Sequence, residues 1–281
     1  MLSKIIRNLL LDPRIKDNSL DRDGVDLLRV HSEIIKSKTM IRHIFQEFYD
    51  LCIELDKAYF DGSGKVVEIG SGVSFIKETD PHIITSDIKD YKGVDIVVDA
   101  QNMQFEDNEI HAFYGINCFH HFPEPKKFFN ELIRTLKPGA GAIMIEPYYG
   151  FFSDIIYKKV HEDEFYDKKQ LLWETGQNIN QYMTGANQAL SYLIFERDRR
   201  YFEESFPELE IVHTAVINNY MRYLVSGGVN FKQMLPDFTE GTLKSIEKIF
   251  TPFNKVFGLH HVVVLKKKGS DYSSDLIIKN E

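Results

Sequence analysis

The chain has 281 residues, 43% hydrophobic and 27% charged, enough to bury a sizeable core without disulfide or metal staples. Its 34 Lys+Arg against 42 Asp+Glu leave a formal net charge of −8, which makes a phosphate backbone a poor partner and excludes nucleic acid as the default ligand. Cys52 and Cys118 lack zinc or redox-pair spacing and fit a reducing compartment, and with neither an apolar run of about 18 residues nor a signal-peptide pattern in residues 1–11, the expected location is the cytoplasm.

Residues 1–24 mix polar and apolar side chains around Asp-Pro and Asp-Gly breaks and predict short helices. From 37 to 59 the pattern is helical. Ile41, Ile44, Phe45, Phe48, Cys52, Leu55 and Tyr59 recur at three- and four-residue steps and make one apolar stripe. Asp61-Gly62-Ser63-Gly64 ends it, and the period changes. Residues 65–69 form a β-branched run before Gly70-Ser71-Gly72, and further short runs follow at 82–85, 95–98 and 112–117. Helical periodicity returns at 124–136, where Phe128, Phe129, Leu132, Ile133 and Leu136 share a face and Pro138-Gly139 stops the helix. An apolar run at 142–145 follows at once. Continuous apolar strands alternating with helices predict a mostly parallel sheet covered on both faces. Residues 148–195, rich in Tyr, Phe, Asn and Gln, read as an insertion or cap. A helix is expected at 196–206, a strand at 209–216, a second and partly helical insertion at 217–258, a final strand at 261–265 and a polar tail behind it.

The most informative segment is Val67-Glu68-Ile69-Gly70-Ser71-Gly72. A strand ends there, and two glycines allow a tight turn and a close ligand approach. A dinucleotide fingerprint needs a third glycine where this chain has Phe75. Glu68 also suits a cationic ammonium group, which a pyrophosphate ligand lacks. Asp87 follows Gly70 by 17 residues, near the roughly 20 expected of a carboxylate that accepts from ribose hydroxyls. Asp99 closes the run at 96–98. It either accepts from an adenine amino group, with the backbone of Ala100-Gln101 beside the ring, or caps a helix. Three carboxylates at three successive strand ends match one ligand that carries an ammonium, a ribose and an adenine, S-adenosylmethionine.

On these residues the chain resembles the class I S-adenosylmethionine-dependent methyltransferases, in particular the type 11 group. The matching stretch is 65–147 and also includes Phe119-His120-His121-Phe122 and Leu136-Lys137-Pro138-Gly139-Ala140. The resemblance implies a Rossmann-like, doubly wound α/β fold with a seven-stranded sheet whose last strand is antiparallel. It implies a helical extension over 1–60, a methyltransferase domain over 61–268 with insertions at 148–195 and 217–258, and a polar tail at 269–281. Ser74 stands where family loops often carry a third glycine. The implied cofactor site is Glu68, Gly70, Ser71, Gly72, Asp87, Ile88, Asp99, Ala100, Gln101, Asn117 and Cys118, with no metal.

The implied activity is methyl transfer to a small-molecule or glycan-linked acceptor, with oxygen the expected atom, by in-line displacement. The alternatives are a non-catalytic S-adenosylmethionine-binding interaction protein and a nicotinamide-dependent oxidoreductase. His121 and His120 are candidate bases for an acceptor hydroxyl, or else structural groups bonded to the backbone. Glu146 is read either as orienting a substrate hydroxyl or as a solvated loop acid. His161-Glu162-Asp163-Glu164 is metal-like in composition, but its ligands are consecutive and do not converge on one helix face, so it reads as a solvated charge run; Phe195-Glu196-Arg197-Asp198-Arg199 reads as a source of cations for an anionic substrate or a surface helix, and 222–228 as a lid with glycine hinges. The stretch 146–230 resembles, more weakly, methyltransferases of bacterial surface-polysaccharide clusters. Lys266-Lys267-Lys268 reads as a solvated strand end, with peripheral membrane association through it and the N-terminal apolar residues as the other reading. The oligomeric state is left open.

Overall fold

In the computed structural model the structure describes residues 7–16, 20–21, 23–159, 164–174 and 185–269. They form one seven-stranded sheet in the order β3-β2-β1-β4-β5-β7-β6. The strands are β1 (Lys65–Ile69), β2 (Ile84–Asp87), β3 (Ile96–Val97), β4 (Ile110–Ile116), β5 (Leu136–Pro147), β6 (Leu209–Val216) and β7 (His260–Lys267). Strands β1 to β5 pair in parallel, and β7 inserts antiparallel between β5 and β6. The expected Rossmann-like sheet with an antiparallel last strand is therefore the observed one.

Strand pleating sends successive side chains to opposite faces, and both faces here are apolar. Phe113, Ala142, Met144, Val263 and Leu265 face one core with Phe128, Phe129 and Leu132 of the helix Pro125–Thr135 and Phe202 of the helix Arg199–Ser205. Ala112, Tyr114, Ile143, Ile145, Val262 and Val264 face the other with Ile41, Ile44, Phe48 and Cys52. That second face is covered by the long helix Thr39–Tyr59, which buries the predicted stripe. A second helix, Val25–Ser37, precedes it, and the break falls at Lys38.

The strand bounds differ from the sequence reading in ways with local causes. The run expected at 82–85 pairs at 84–87, because 81–83 is a turn, so Asp87 is itself a strand residue, paired with Val97. Pro138-Gly139 does not stop the preceding helix, which ends at Thr135. It bulges out of β5 instead, where the register jumps from Ile110↔Leu136 to Ala112↔Gly141. A side chain at Gly141 would lie 2.1 Å from the Leu265 carbonyl oxygen and 2.2 Å from Phe60. The helix expected at 196–206 begins earlier, at Leu190–Tyr192, widens into a π-turn at Leu193–Arg197 and resumes at Arg199.

The three lysines of the β7 end are not simply solvated. Lys266 pairs with Asp61, and Lys267 and Lys268 donate to the Leu136 and Pro207 carbonyls. No helix among the described residues is long and apolar enough to cross a membrane. The N-terminal residues 1–6, the acidic positions 161–163 and the tail beyond Gly269 lie outside the described residues.

Arg222, expected to open a lid, is instead an anchor. It lies in the helix Tyr220–Ser226 and is 2% exposed. Its two terminal nitrogens each donate to Glu47 at 2.8 Å, and its Nε donates to Glu247 at 2.6 Å. The helix Glu240–Ile249 is thereby joined to the helix Thr39–Tyr59. Glu247 is 1% exposed, so losing the guanidinium leaves a buried carboxylate without its counter-charge. Arg222→Ala is expected to cost about 3–5 kcal/mol, the range for breaking a buried ion pair, read as a lower urea midpoint. Arg222→Lys, which cannot engage Glu47 with a planar fork, recovers only part.

Candidate functional site

Ligands of open α/β sheets sit beyond the carboxyl ends of the strands, and a cavity of about 270 Å³ lies there. The turn after β1 contributes Glu68, Gly70, Ser71 and Gly72. The end of β2 contributes Asp87 and Ile88, and the turn after β3 contributes Asp99, Ala100 and Gln101. Asn117, Cys118, His120 and His121 come from the turn after β4. Each expected cofactor residue thus lines one cavity.

The β1 turn is held by its neighbours. Ser71 donates its N–H to the Ser86 carbonyl at 2.8 Å and receives the Ser86 N–H on its hydroxyl at 3.0 Å. Gly70 has φ +63°, in the left-handed region that L side chains avoid. A Cβ there would lie 2.6 Å from the Cβ of Cys118. The cysteine is a packing group against this glycine, and burial raises its thiol well above the ordinary range, which disfavours a thiolate nucleophile.

The carboxylates differ in how far the protein satisfies them. Asp87 accepts the Gly72 N–H on one oxygen and the Lys89 N–H on the other, both at 3.0 Å, and each oxygen keeps a lone pair for a further donor. Asp99 accepts the Gln101 N–H at 2.8 Å and so braces its own turn. Glu68 is 3% exposed. The Ser74 hydroxyl donates to its Oε1 at 2.9 Å, while its Oε2 is buried without a partner in the protein. Burial pushes this carboxyl up to about 7, against the pull of the Ser74 and Ser71 hydroxyls. Ser74 thus does what a glycine at its position cannot.

Glu146 does not line the cavity and is neither solvated nor within reach of a ligand there. It is fully buried. Its Oε1 accepts the amides of Cys118 at 3.0 Å and Phe119 at 2.8 Å, and its Oε2 accepts the His120 amide at 3.3 Å and lies 2.6 Å from His120 Nδ1. The far nitrogen of His120, Nε2, lies 3.4 Å from Glu164 Oε2. Burial by itself would lower the His120 imidazole, but the two carboxylates outweigh it and raise it to about 10. An imidazole already protonated at neutral pH has no lone pair with which to take a proton. His121 sits next to it, ring centroids 4.2 Å apart, and faces the cavity.

The opposite wall comes in part from the insertion expected as a cap, but none of its lining residues was singled out as a site residue from the sequence. Tyr157, Glu164 and Gln188 reach the cavity from the insertion at 148–195, and Tyr223 and His260 from beyond it. Leu27, Leu28 and His31 close it from the helix Val25–Ser37. Glu164 belongs to the acidic run read as solvated, yet its side chain is only 13% exposed. The His161-Glu162-Asp163-Glu164 run within an aromatic insertion was the available signal. The arginines at 197–200 do not supply the cavity with cations. Arg197 is held by Asp198, and Arg199 and Arg200 pair along their helix with Glu203 and Glu204. Lys89 is the only lysine or arginine among the described residues that line the cavity.

Residues 77–144 match the family model described as a methyltransferase domain. Over 61 residues the chain is 38% identical to phosphoethanolamine N-methyltransferase 2 of Caenorhabditis elegans, a match that spans 21% of this chain and 14% of that protein. Among solved structures, the YcgJ protein of Bacillus subtilis aligns with 80% of this chain and 99% of its own at 11% identity and a TM-score of 0.43. Phosphoethanolamine N-methyltransferase 2 of Haemonchus contortus, in complex with phosphomonomethylethanolamine and S-adenosylhomocysteine, aligns with 77% of this chain and 52% of its own at 14% identity and a TM-score of 0.38. These likenesses are distant, and the strand order defines the fold without them. The family match marks a methyltransferase domain over residues 77–144, within the sheet that the strand order defines.

Proposed function

We propose that the chain transfers the S-methyl group of S-adenosylmethionine to an oxygen of a small-molecule or glycan-linked acceptor. The observation that carries this reading is the unpartnered, buried Oε2 of Glu68 in the same cavity as Asp87 and Asp99. A buried carboxylate oxygen without a donor is costly, and an ammonium group supplies one. Asp87 then accepts from the ribose hydroxyls, and the Asp99–Gln101 turn borders the adenine. Asn117 and Cys118 border the methionine portion.

The sulfonium methyl is delivered toward the wall formed by His121, Glu164, Gln188, Tyr157 and Tyr223. The methyl carbon–sulfur bond breaks as the carbon–oxygen bond forms, and S-adenosylhomocysteine leaves. The acceptor's proton passes to His121 or Glu164, while His120 stays a charged positioning group. Glu146 acts through it by fixing the turn. The relative is named for a phosphorylated amine, but the scarcity of lysines and arginines among the described lining residues supports an acceptor without phosphate. In-line transfer asks the protein mainly for alignment and for exclusion of water, which the aromatic wall provides.

Labelled methyl from S-adenosylmethionine, followed into separated small-molecule, glycan, lipid and protein fractions of a cell extract, tests the reaction. Label is expected in the small-molecule or glycan fraction, and less of it with Asp87→Ala at a cofactor concentration near the wild-type Kd. Cofactor binding without label in any fraction would favour the non-catalytic binder. Asp87→Ala is expected to weaken S-adenosylhomocysteine binding by roughly 1–3 kcal/mol, the penalty for unpaired polar partners, or about 5- to 150-fold in Kd by calorimetry. The Glu68 carboxyl, raised to about 7, must lose its proton to accept the ammonium. Affinity is therefore expected to level off above pH 7 and to fall about tenfold per unit below it. Glu68→Gln removes that slope, and a slope unchanged in Glu68→Gln would reject the assignment.

A further inference from the structure

We propose that His120, His121 and Glu164 form a binding site for a divalent transition-metal ion of the zinc class at the acceptor end of the cavity. The proposal deepens the methyltransferase reading and rests on it for the ion's use, though not for its binding.

One ligand atom from each residue lies within 4.8 Å of the other two. The His120 Nε2 to Glu164 Oε2 distance is 3.4 Å. Two ligands about 2.0–2.1 Å from a tetrahedral ion are about 3.3 Å apart, so this pair already spans one edge of such a site. The His121 nitrogen, within 4.8 Å of both, moves in to complete the face. The outer shell is also built. His120 Nδ1 lies 2.6 Å from Glu146 Oε2, and three backbone amides hold that carboxylate. This is the carboxylate–histidine–metal arrangement, which fixes the ring and directs Nε2 at the ion. The ion takes the place of the Nε2 proton.

Two imidazoles and one carboxylate suit zinc, iron(II) or manganese better than calcium or magnesium, which favour all-oxygen shells. Three protein ligands leave a fourth position open, as at reactive rather than structural sites. Here that position faces the cavity, where an acceptor oxygen fits. An oxygen bound there has its pKa lowered by the ion. In the loaded protein His121 is then a ligand, and the ion does the work otherwise asked of a base.

The test uses the full chain, stripped with a chelator and titrated with Zn²⁺ against a chromophoric competitor. S-adenosylhomocysteine binding is measured on the same samples. Wild type is expected to take up one equivalent. His121→Ala and Glu164→Gln each lose at least tenfold in zinc affinity and keep cofactor binding, and Glu146→Gln loses about 10- to 100-fold in zinc affinity through the outer shell. No zinc uptake by a wild type that binds S-adenosylhomocysteine would overturn the metal site and leave the methyltransferase reading standing. Uptake unchanged in both ligand variants would also overturn it, by placing the ion elsewhere. Zinc uptake lost in the variants, in a protein that fails to bind S-adenosylhomocysteine, would support the site while removing the methyltransferase reading.

Discussion

A carboxylate can leave water only where donors replace the water it gives up. Glu146, fully buried at the end of β5, finds them in three consecutive amides after β4 and in the Nδ1 of His120. The interaction is mutual. Without the carboxylate, the turn Phe119–His121 would leave those amides unpaired inside the protein, and without the turn, Glu146 would be an isolated buried charge. Charge-assisted bonds of this kind are short and directional. They fix where Cys118 abuts Gly70, where His120 points and where His121 meets the cavity. The geometry of the whole rim follows from one acid that touches no ligand.

The cavity's closure depends on a second set of long-range ties. Lys38, at the break between the first two helices, donates its ammonium to the Gly228 and Phe231 carbonyls. Leu11 bridges Phe231, and the Asp12 N–H donates to Asn230. Burial draws the Lys38 ammonium down to about 8. Arg222, just before this loop, is bound by Glu47 and Glu247. Segments about two hundred residues apart in sequence therefore meet as one cover over the sheet's carboxyl edge.

Much of this was legible in the residues themselves. The glycine turn, the two acids that follow it and the histidine pair sit at strand ends, and a strand end projects its next residues to one edge of the sheet whatever the rest of the chain does. Short continuous apolar runs placed most of the strands to within a few residues, though β5 starts six residues before its run. The far wall was not legible for a reason of the same kind. Glu164, Tyr157 and Gln188 lie in a segment without periodicity, and only tertiary contacts bring them to the site. Glu146 was seen but misjudged. An acid after an apolar strand looks the same whether it meets water or three turned-in amides, and those amides belong to a turn about 27 residues upstream.

The two walls of the cavity have different origins along the chain. The wall with the three acids comes from one nearly continuous stretch, 68–122, inside a sheet whose register tolerates little change. The opposite wall is assembled from separate pieces of the first helices, the insertion and the residues before and within β7. A mutation in any one of those pieces acts first on one half of the chamber. The architecture is therefore modular in an evolutionary sense. Descendants of such a chain can exchange what they recognise on one side by loop drift and segment replacement while inheriting the other side intact.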